Sequence, residues 1–131
     1  MICDDIRAAL SEGDVCEQTD RGARVVTHCL YPSFDPVEVY VTPFDKGFIV
    51  TDGGGAAANA FIHGRDEIGK VLARECARYG VRLLGDVVTC EVQSAEWLRS
   101  AILAVSNASA AAATAAMERV AVAAERVLAD K

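Results

Sequence analysis

The strict alternation of valine with more polar residues from position 37 to 42 constrains the fold more than any other feature of this sequence. Val37, Val39 and Val41 are separated by Glu38 and Tyr40. Because successive side chains of a β-strand point to opposite faces, the pattern predicts a strand with one buried and one solvated face. Such a strand needs hydrogen-bonded neighbours and a covering layer, so we expect a sheet that is covered on one side.

Neighbouring segments supply the other strands. Residues 24–31 and 48–51 are rich in β-branched and apolar side chains, and the turn Pro43–Gly47 precedes the second of them. Gly85-Asp86 separates two further apolar runs, as expected of a two-residue hairpin. With helices added, the prediction is an α+β fold: an antiparallel sheet of about four to six strands, helices packed on one face and a long alanine-rich C-terminal helix or helix pair.

The chain has 131 residues, which suits one α+β domain. We divide it into a sheet-and-helix core, residues 1–93, and a C-terminal helical segment, residues 94–131. A single helix over the second segment has about 35 residues and would be roughly 50 Å long. We therefore expect either a bend near Ser106-Asn107 or a projecting end. The small side chains of 108–116 would admit a neighbouring helix closely, within the chain or in a homodimer through the alanine-rich helix.

Acidic residues are concentrated at the beginning of the chain. The net charge is −6, and it arises before residue 56, where ten acids face four bases. This half of the chain is ill suited to nucleic acid or an anionic membrane and suits a basic partner, or it is simply a solvated surface that aids solubility. The candidate partner-binding acids are Asp4, Asp5, Glu12, Asp14 and Glu17.

Thiol usage indicates a cytoplasmic protein. The five cysteines include no Cys-x-x-Cys pair, and the first residues are acidic where a secretory leader would be basic. We therefore predict reduced thiols that serve as small core residues. The uncharged stretch 100–117 is mostly alanine, which enters lipid weakly, so we predict no membrane span.

Chemistry-bearing residues are few. Asp52-Gly53-Gly54-Gly55 follows a predicted strand as phosphate-binding loops do, but it lacks their consensus sequences and is read as a tight turn. A metal-dependent nuclease could use Asp52 and Glu91 to hold Mg²⁺, although Gln93 stands where such enzymes place a lysine. His28 and His63 are read as core or capping residues. No catalytic residue, metal ligand or cofactor is assigned.

One basic stripe is present. Lys70, Arg74 and Arg78 recur every four residues on a predicted helix, and Arg65 and Arg82 could extend the stripe. It is either a solvated face, neutralised locally by Glu67 and Glu75, or a contact for nucleic acid or an acidic partner.

The short motifs Thr42-Pro43-Phe44 and Thr51-Asp52-Gly53-Gly54, in this order of elements, carry a resemblance. The chain resembles a small family of uncharacterised bacterial and phage domains, known only as a domain of unknown function, over most of its length. The resemblance implies a product of a prophage or another mobile element, and it brings no catalytic residues.

These features favour a non-catalytic protein-interaction module that regulates or inhibits a partner. A mobile-element origin would suit an anti-defence inhibitor of the anti-CRISPR kind, whose acidic face occupies a basic channel of a nucleic-acid-handling complex. The alternatives are the Asp52–Glu91 nuclease and a nucleic-acid-binding regulator that uses Lys70, Arg74 and Arg78.

Overall fold

A six-stranded antiparallel sheet is the centre of the computed structural model, which describes residues 2–61 and 68–129. The strand order is β1-β2-β3-β4-β6-β5. The strands are β1 (Val15–Gln18), β2 (Ala23–Leu30), β3 (Pro36–Phe44), β4 (Gly47–Thr51), β5 (Arg82–Leu84) and β6 (Val87–Val92). Helices cover one face of this sheet, so the predicted α+β class is confirmed.

The predicted alternation sets the two faces of the sheet. Val37, Val39 and Val41 of β3 are completely buried, and Val39 lies opposite Val25 while Val41 lies opposite Val50. Tyr40, between Val39 and Val41, belongs to a polar row that crosses the open face through all six strands. In register, this row is Glu17, Arg24, Tyr40, Thr51, Thr89 and Arg82.

Four α-helices and two short 3-10 helices complete the described residues. They are α1 (Ile2–Asp5), the 3-10 helix Arg7–Ala9, α2 (Gly55–Phe61), α3 (Ile68–Arg78), the 3-10 helix Ala95–Trp97 and α4 (Leu98–Ala129). The long helix α4 packs on α2, on α3 and on strands β2, β3, β4 and β6. It therefore holds the helical layer and the sheet together.

The C-terminal helix is continuous over Leu98–Ala129, so it is not divided into two helices near Ser106-Asn107. The Ser106 hydroxyl donates to the Ile102 carbonyl oxygen of the same helix at 2.8 Å, which satisfies it without a break. The small residues that were expected to admit a partner helix are largely buried in the chain's own core, among them Ala108, Ala112, Ala113 and Ala116. A homodimer would have to use the outward face of α4 or the residues after Ala116, and it stays a prediction.

The uncharged stretch lies on the sheet. The segment Ala95–Arg119 is long and apolar enough to cross a membrane, yet half of its most apolar 18-residue window is buried inside the fold. This packing agrees with a core helix of a soluble domain.

The prediction of reduced thiols is wrong for two cysteines. Cys3 of α1 and Cys16 of β1 form a disulfide with a Cα–Cα distance of 5.8 Å. They are 13 residues apart without a diagnostic motif, so only the folding of α1 against β1 brings them together. Cys29, Cys76 and Cys90 are free.

Candidate interaction surface

Asp52 is a structural residue. It follows β4, is 2% exposed and accepts four hydrogen bonds. One carboxylate oxygen accepts from the N–H groups of Gly54 (2.8 Å) and Val88 (3.0 Å), and the other accepts from the N–H of Ala56 (3.1 Å) and the hydroxyl of Ser109 (2.8 Å). Since the carboxylate is fully satisfied and the amides are engaged with it, the loop has no role as an anion cradle.

Tyr31 extends this buried network. Its hydroxyl lies 2.6 Å from the Ser109 hydroxyl. Burial raises the pKa of Tyr31 to about 12, a shift that the Ser109 hydrogen bond opposes and the Asp52 charge reinforces. A Cβ atom at Gly55 would collide with the Tyr31 hydroxyl, so this glycine serves close packing.

Asp52 and Glu91 lie on opposite faces of the sheet. Asp52 reaches Ser109 of α4 on the covered face. Glu91 lies opposite Ile49 on the open face, half exposed, with its carboxylate 3.7 Å from the Arg82 guanidinium. The predicted pairing of the two acids at one metal ion is therefore wrong. Within residues 2–61 and 68–129, no group of three His, Cys, Asp or Glu side chains is placed to hold a metal ion.

The predicted acidic face is only partly available. Asp14 is removed from it, because its side chain is 4% exposed, accepts from the Ser11 N–H at 2.9 Å and lies 3.4 Å from His28 Nδ1. Glu17 pairs with Arg24 at 3.3 Å on the open face of the sheet.

Asp4, Asp5 and Glu12 are exposed, and Asp4 is 3.0 Å from the Arg7 guanidinium. In the described part of the chain, Asp5 and Glu12 form no ion pair. The accessible acids are thus Asp4, Asp5, Glu12 and Glu17.

The basic stripe is exposed but partly neutralised. Lys70, Arg74 and Arg78 lie on the surface of α3, and Arg78 is 3.3 Å from the carboxylate of the buried Glu75. Arg82 does not extend the stripe, because it pairs with Glu91 on the sheet. Three further residues named in the sequence analysis lie outside the described part of the chain. They are Arg65 and Glu67, beside the basic stripe, and His63. Nucleic-acid binding by this stripe stays a prediction.

The sequence did not predict a concave surface beside the β3–β4 hairpin. A cavity of about 490 Å³ lies between the β3–β4 hairpin and β6, and Phe44 and Phe48 are among the residues that line it. A second cavity of about 420 Å³ adjoins it and is lined by Cys90, Trp97 and Ala101. Both cavities share the strand end Glu91–Gln93. We call the two cavities together the aromatic cleft.

Two exposed aromatic side chains border the aromatic cleft. Phe44 and Trp97, the single tryptophan of the chain, are each 56% exposed. They are distant in sequence and become neighbours of the same strand end because Phe48 of β4 pairs with Val92 of β6. Only the order of strands in the sheet could have revealed this site, and the sequence does not state that order.

The surroundings of the aromatic cleft include one free thiol and the acidic beginning of the chain. Burial raises the pKa of the Cys90 thiol, which therefore stays protonated and weakly nucleophilic at neutral pH. The 3-10 helix Ala95–Trp97 contacts the 3-10 helix Arg7–Ala9, which directly follows the acids of α1. The acidic beginning of the chain is thus adjacent to the segment that carries Trp97.

Comparison with known proteins finds no match: no family model, no curated protein and no solved structure is similar to this chain. This agrees with a resemblance to an uncharacterised family. Relatedness through the Thr-Pro-Phe and Thr-Asp-x-Gly motifs stays a prediction.

Proposed function

We propose that this chain is a non-catalytic protein-interaction module that binds a partner protein through the aromatic cleft and thereby regulates or inhibits it. The observation that carries the proposal is that two exposed aromatic side chains, Phe44 and Trp97, each line one of two cavities that meet at the strand end Glu91–Gln93. Single exposed apolar residues are ordinary, but aromatic anchors beside a pocket are typical of the residues that dominate interface binding energy.

Charge favours a basic partner. Asp4, Asp5, Glu12 and Glu17 are accessible at the beginning of the chain, and the 3-10 helix that follows α1 contacts the helix of Trp97. Accessible acids at the beginning of the chain would steer a basic protein toward the neighbouring segment that carries Trp97. The finer proposal is an anti-defence inhibitor, encoded by a mobile element, that occupies the basic channel of a nucleic-acid-handling complex. Its cytoplasmic location stays a prediction, because the Cys3–Cys16 disulfide removes the thiol argument for it.

Affinity purification with matched variants tests the aromatic cleft. The tagged chain is purified from lysate of its natural host in three forms: wild type, Trp97→Ala and Leu103→Ala. Leu103 is a suitable control because it is another exposed apolar residue of the same region of the chain, on the outward side of α4. We expect one stoichiometric protein partner that Trp97→Ala loses and Leu103→Ala retains. Equal recovery with all three forms would contradict binding through the aromatic cleft.

Charge reversal tests the finer proposal with the purified partner. The double variant Asp5→Lys, Glu12→Lys should weaken binding about tenfold at low salt and less at high salt, because exposed charges are screened. The control is a reversal at Asp86, an exposed acid in the β5–β6 turn. If the double variant and the control bind like wild type, the acidic surface is not part of the interface, whatever the result for Trp97.

A further inference from the structure

The β2–β3 loop carries the most exposed large apolar side chain of the described residues. Phe34 is 82% exposed, and Leu30 at the end of β2 is half exposed. This loop precedes β3, whereas Phe44 of the aromatic cleft ends β3. Since β3 has nine residues, the two features are separated by roughly 30 Å along the strand.

The backbone at Phe34 is strained. Its φ is +69°, in the left-handed region that is unfavourable for a bulky side chain. The Phe34 N–H donates to the Tyr31 carbonyl oxygen at 2.8 Å, and the Tyr31 N–H donates to the Asp35 carbonyl oxygen at 3.0 Å. In a three-residue hairpin loop with this bonding pattern, the position of Phe34 is normally glycine. A phenylalanine here is unfavourable for the backbone and contributes little burial in return.

The loop nevertheless holds Phe34 in a defined place. The Ser33 hydroxyl lies 2.9 Å from the Asp35 carboxylate and 3.2 Å from the Asn59 side-chain oxygen of α2. Pro32 restricts the turn further. A protruding aromatic ring on a loop that is already ordered loses little entropy on binding, which is the property of an interface anchor.

We infer that Phe34 is a second interaction anchor, which inserts into an apolar pocket of a partner protein. The rim of that pocket should carry basic or hydrogen-bond-donating groups. Asp35 is exposed beside the ring, and residues 25–45 contain no lysine or arginine. The same charge pattern disfavours nucleic acid and an anionic membrane as the partner of Phe34. Proteins that insert an apolar side chain into either of these usually carry basic residues around it. The inference does not depend on the aromatic cleft.

Site-specific crosslinking provides the test. The full chain carries a benzophenone amino acid at position 34 or, as a control, at position 103, and is irradiated in its natural host. A protein that is crosslinked from position 34 alone is then identified, purified and titrated with wild type, Phe34→Leu, Phe34→Gly and Leu103→Ala. We expect Phe34→Gly to weaken binding about thirtyfold or more. Phe34→Leu, which keeps an apolar side chain, should bind with an affinity between those of wild type and Phe34→Gly, and Leu103→Ala should bind like wild type.

Three results would overturn the inference. The first is the absence of a protein crosslinked specifically from position 34, and the second is equal affinity of wild type and Phe34→Gly. The third is Phe34-dependent sedimentation of the chain with vesicles of phosphatidylcholine and phosphatidylserine, which would make a membrane the occupant. Misfolding is checked by thermal melting: Phe34→Gly should melt at or above the wild-type Tm, and a lower Tm would show that Phe34 supports the fold instead.

Discussion

The glycine-rich loop after β4 and the β2–β3 loop are neighbours at one end of the sheet, yet they use their residues in opposite ways. In the first loop, Asp52 is buried and accepts four hydrogen bonds. In the second loop, Phe34 is exposed and strained. Asp52, whose carboxylate could have suggested a catalytic role, therefore stabilises the fold, whereas the apolar Phe34 is available for a partner. Chemical type alone does not separate structural from functional positions in this molecule.

Removal of the Asp52 carboxylate should have the largest effect. Asp52→Ala leaves three backbone N–H groups and the Ser109 hydroxyl without their acceptor, and we expect the free energy of unfolding to fall by about 4 kcal/mol. Urea denaturation measures this change. Asp86→Ala, at an exposed aspartate nearby, should change stability by less than about 0.5 kcal/mol. Equal effects of the two substitutions would contradict a structural role for Asp52.

Reduction of the Cys3–Cys16 disulfide should have the next largest effect. The bond joins α1 to β1 across 13 residues, and closing a loop of this size stabilises a protein by about 3 kcal/mol. We expect dithiothreitol to lower the free energy of unfolding of wild type by that amount. The double variant Cys3→Ser, Cys16→Ser should be insensitive to the reductant, and a wild type that is equally insensitive would show that the bond does not contribute.

Tyr31 should make stability depend on alkaline pH. Its pKa is about 12 in the folded chain against 10.0 ordinarily, so the folded state keeps a proton that the unfolded state releases. The stabilisation is complete below pH 10 and is lost as pH rises through 12, by roughly 2 kcal/mol. Burial also raises the pKa of Cys76 to about 11, which adds a loss at slightly lower pH.

Tyr31→Phe separates the two contributions. In this variant, the decrease in the free energy of unfolding that Cys76 ionisation causes should remain, and the further decrease above pH 11 should be absent. Urea denaturation at several pH values measures both. An unchanged pH profile in Tyr31→Phe would contradict the assignment to Tyr31.

The sequence predicted the sheet because its signals are local. Valine at 37, 39 and 41 specifies a half-buried strand by its period alone, and turn residues bound the neighbouring strands. The sequence does not specify whether α4 is continuous, because the length of a helical segment does not indicate how far the sheet beneath it extends. Three features depend on how distant segments pack, which the periodicity of the sequence does not indicate. They are the Cys3–Cys16 bond, the burial of Asp14 and the separation of Asp52 from Glu91.

The candidate sites were less predictable than the fold. Trp97 and Phe44 border one cleft only because β4 pairs with β6, outside sequential order. Phe34 lies in a loop of ordinary composition, and the feature that distinguishes it is a positive backbone φ that the sequence does not show. Exposure and backbone strain are properties of the folded chain, so these positions can be identified only from the structure.

The most direct test of the contrast between the two loops is the unfolding free energy of Phe34→Gly relative to Phe34→Ala in urea. Both substitutions remove the ring, but only glycine adopts the positive φ without strain, so the difference isolates the backbone term. The account predicts that Phe34→Gly is more stable than Phe34→Ala by about 1 kcal/mol and no less stable than wild type. A Phe34→Gly variant that is less stable than both would contradict it, because Phe34 would then serve the fold as Asp52 does.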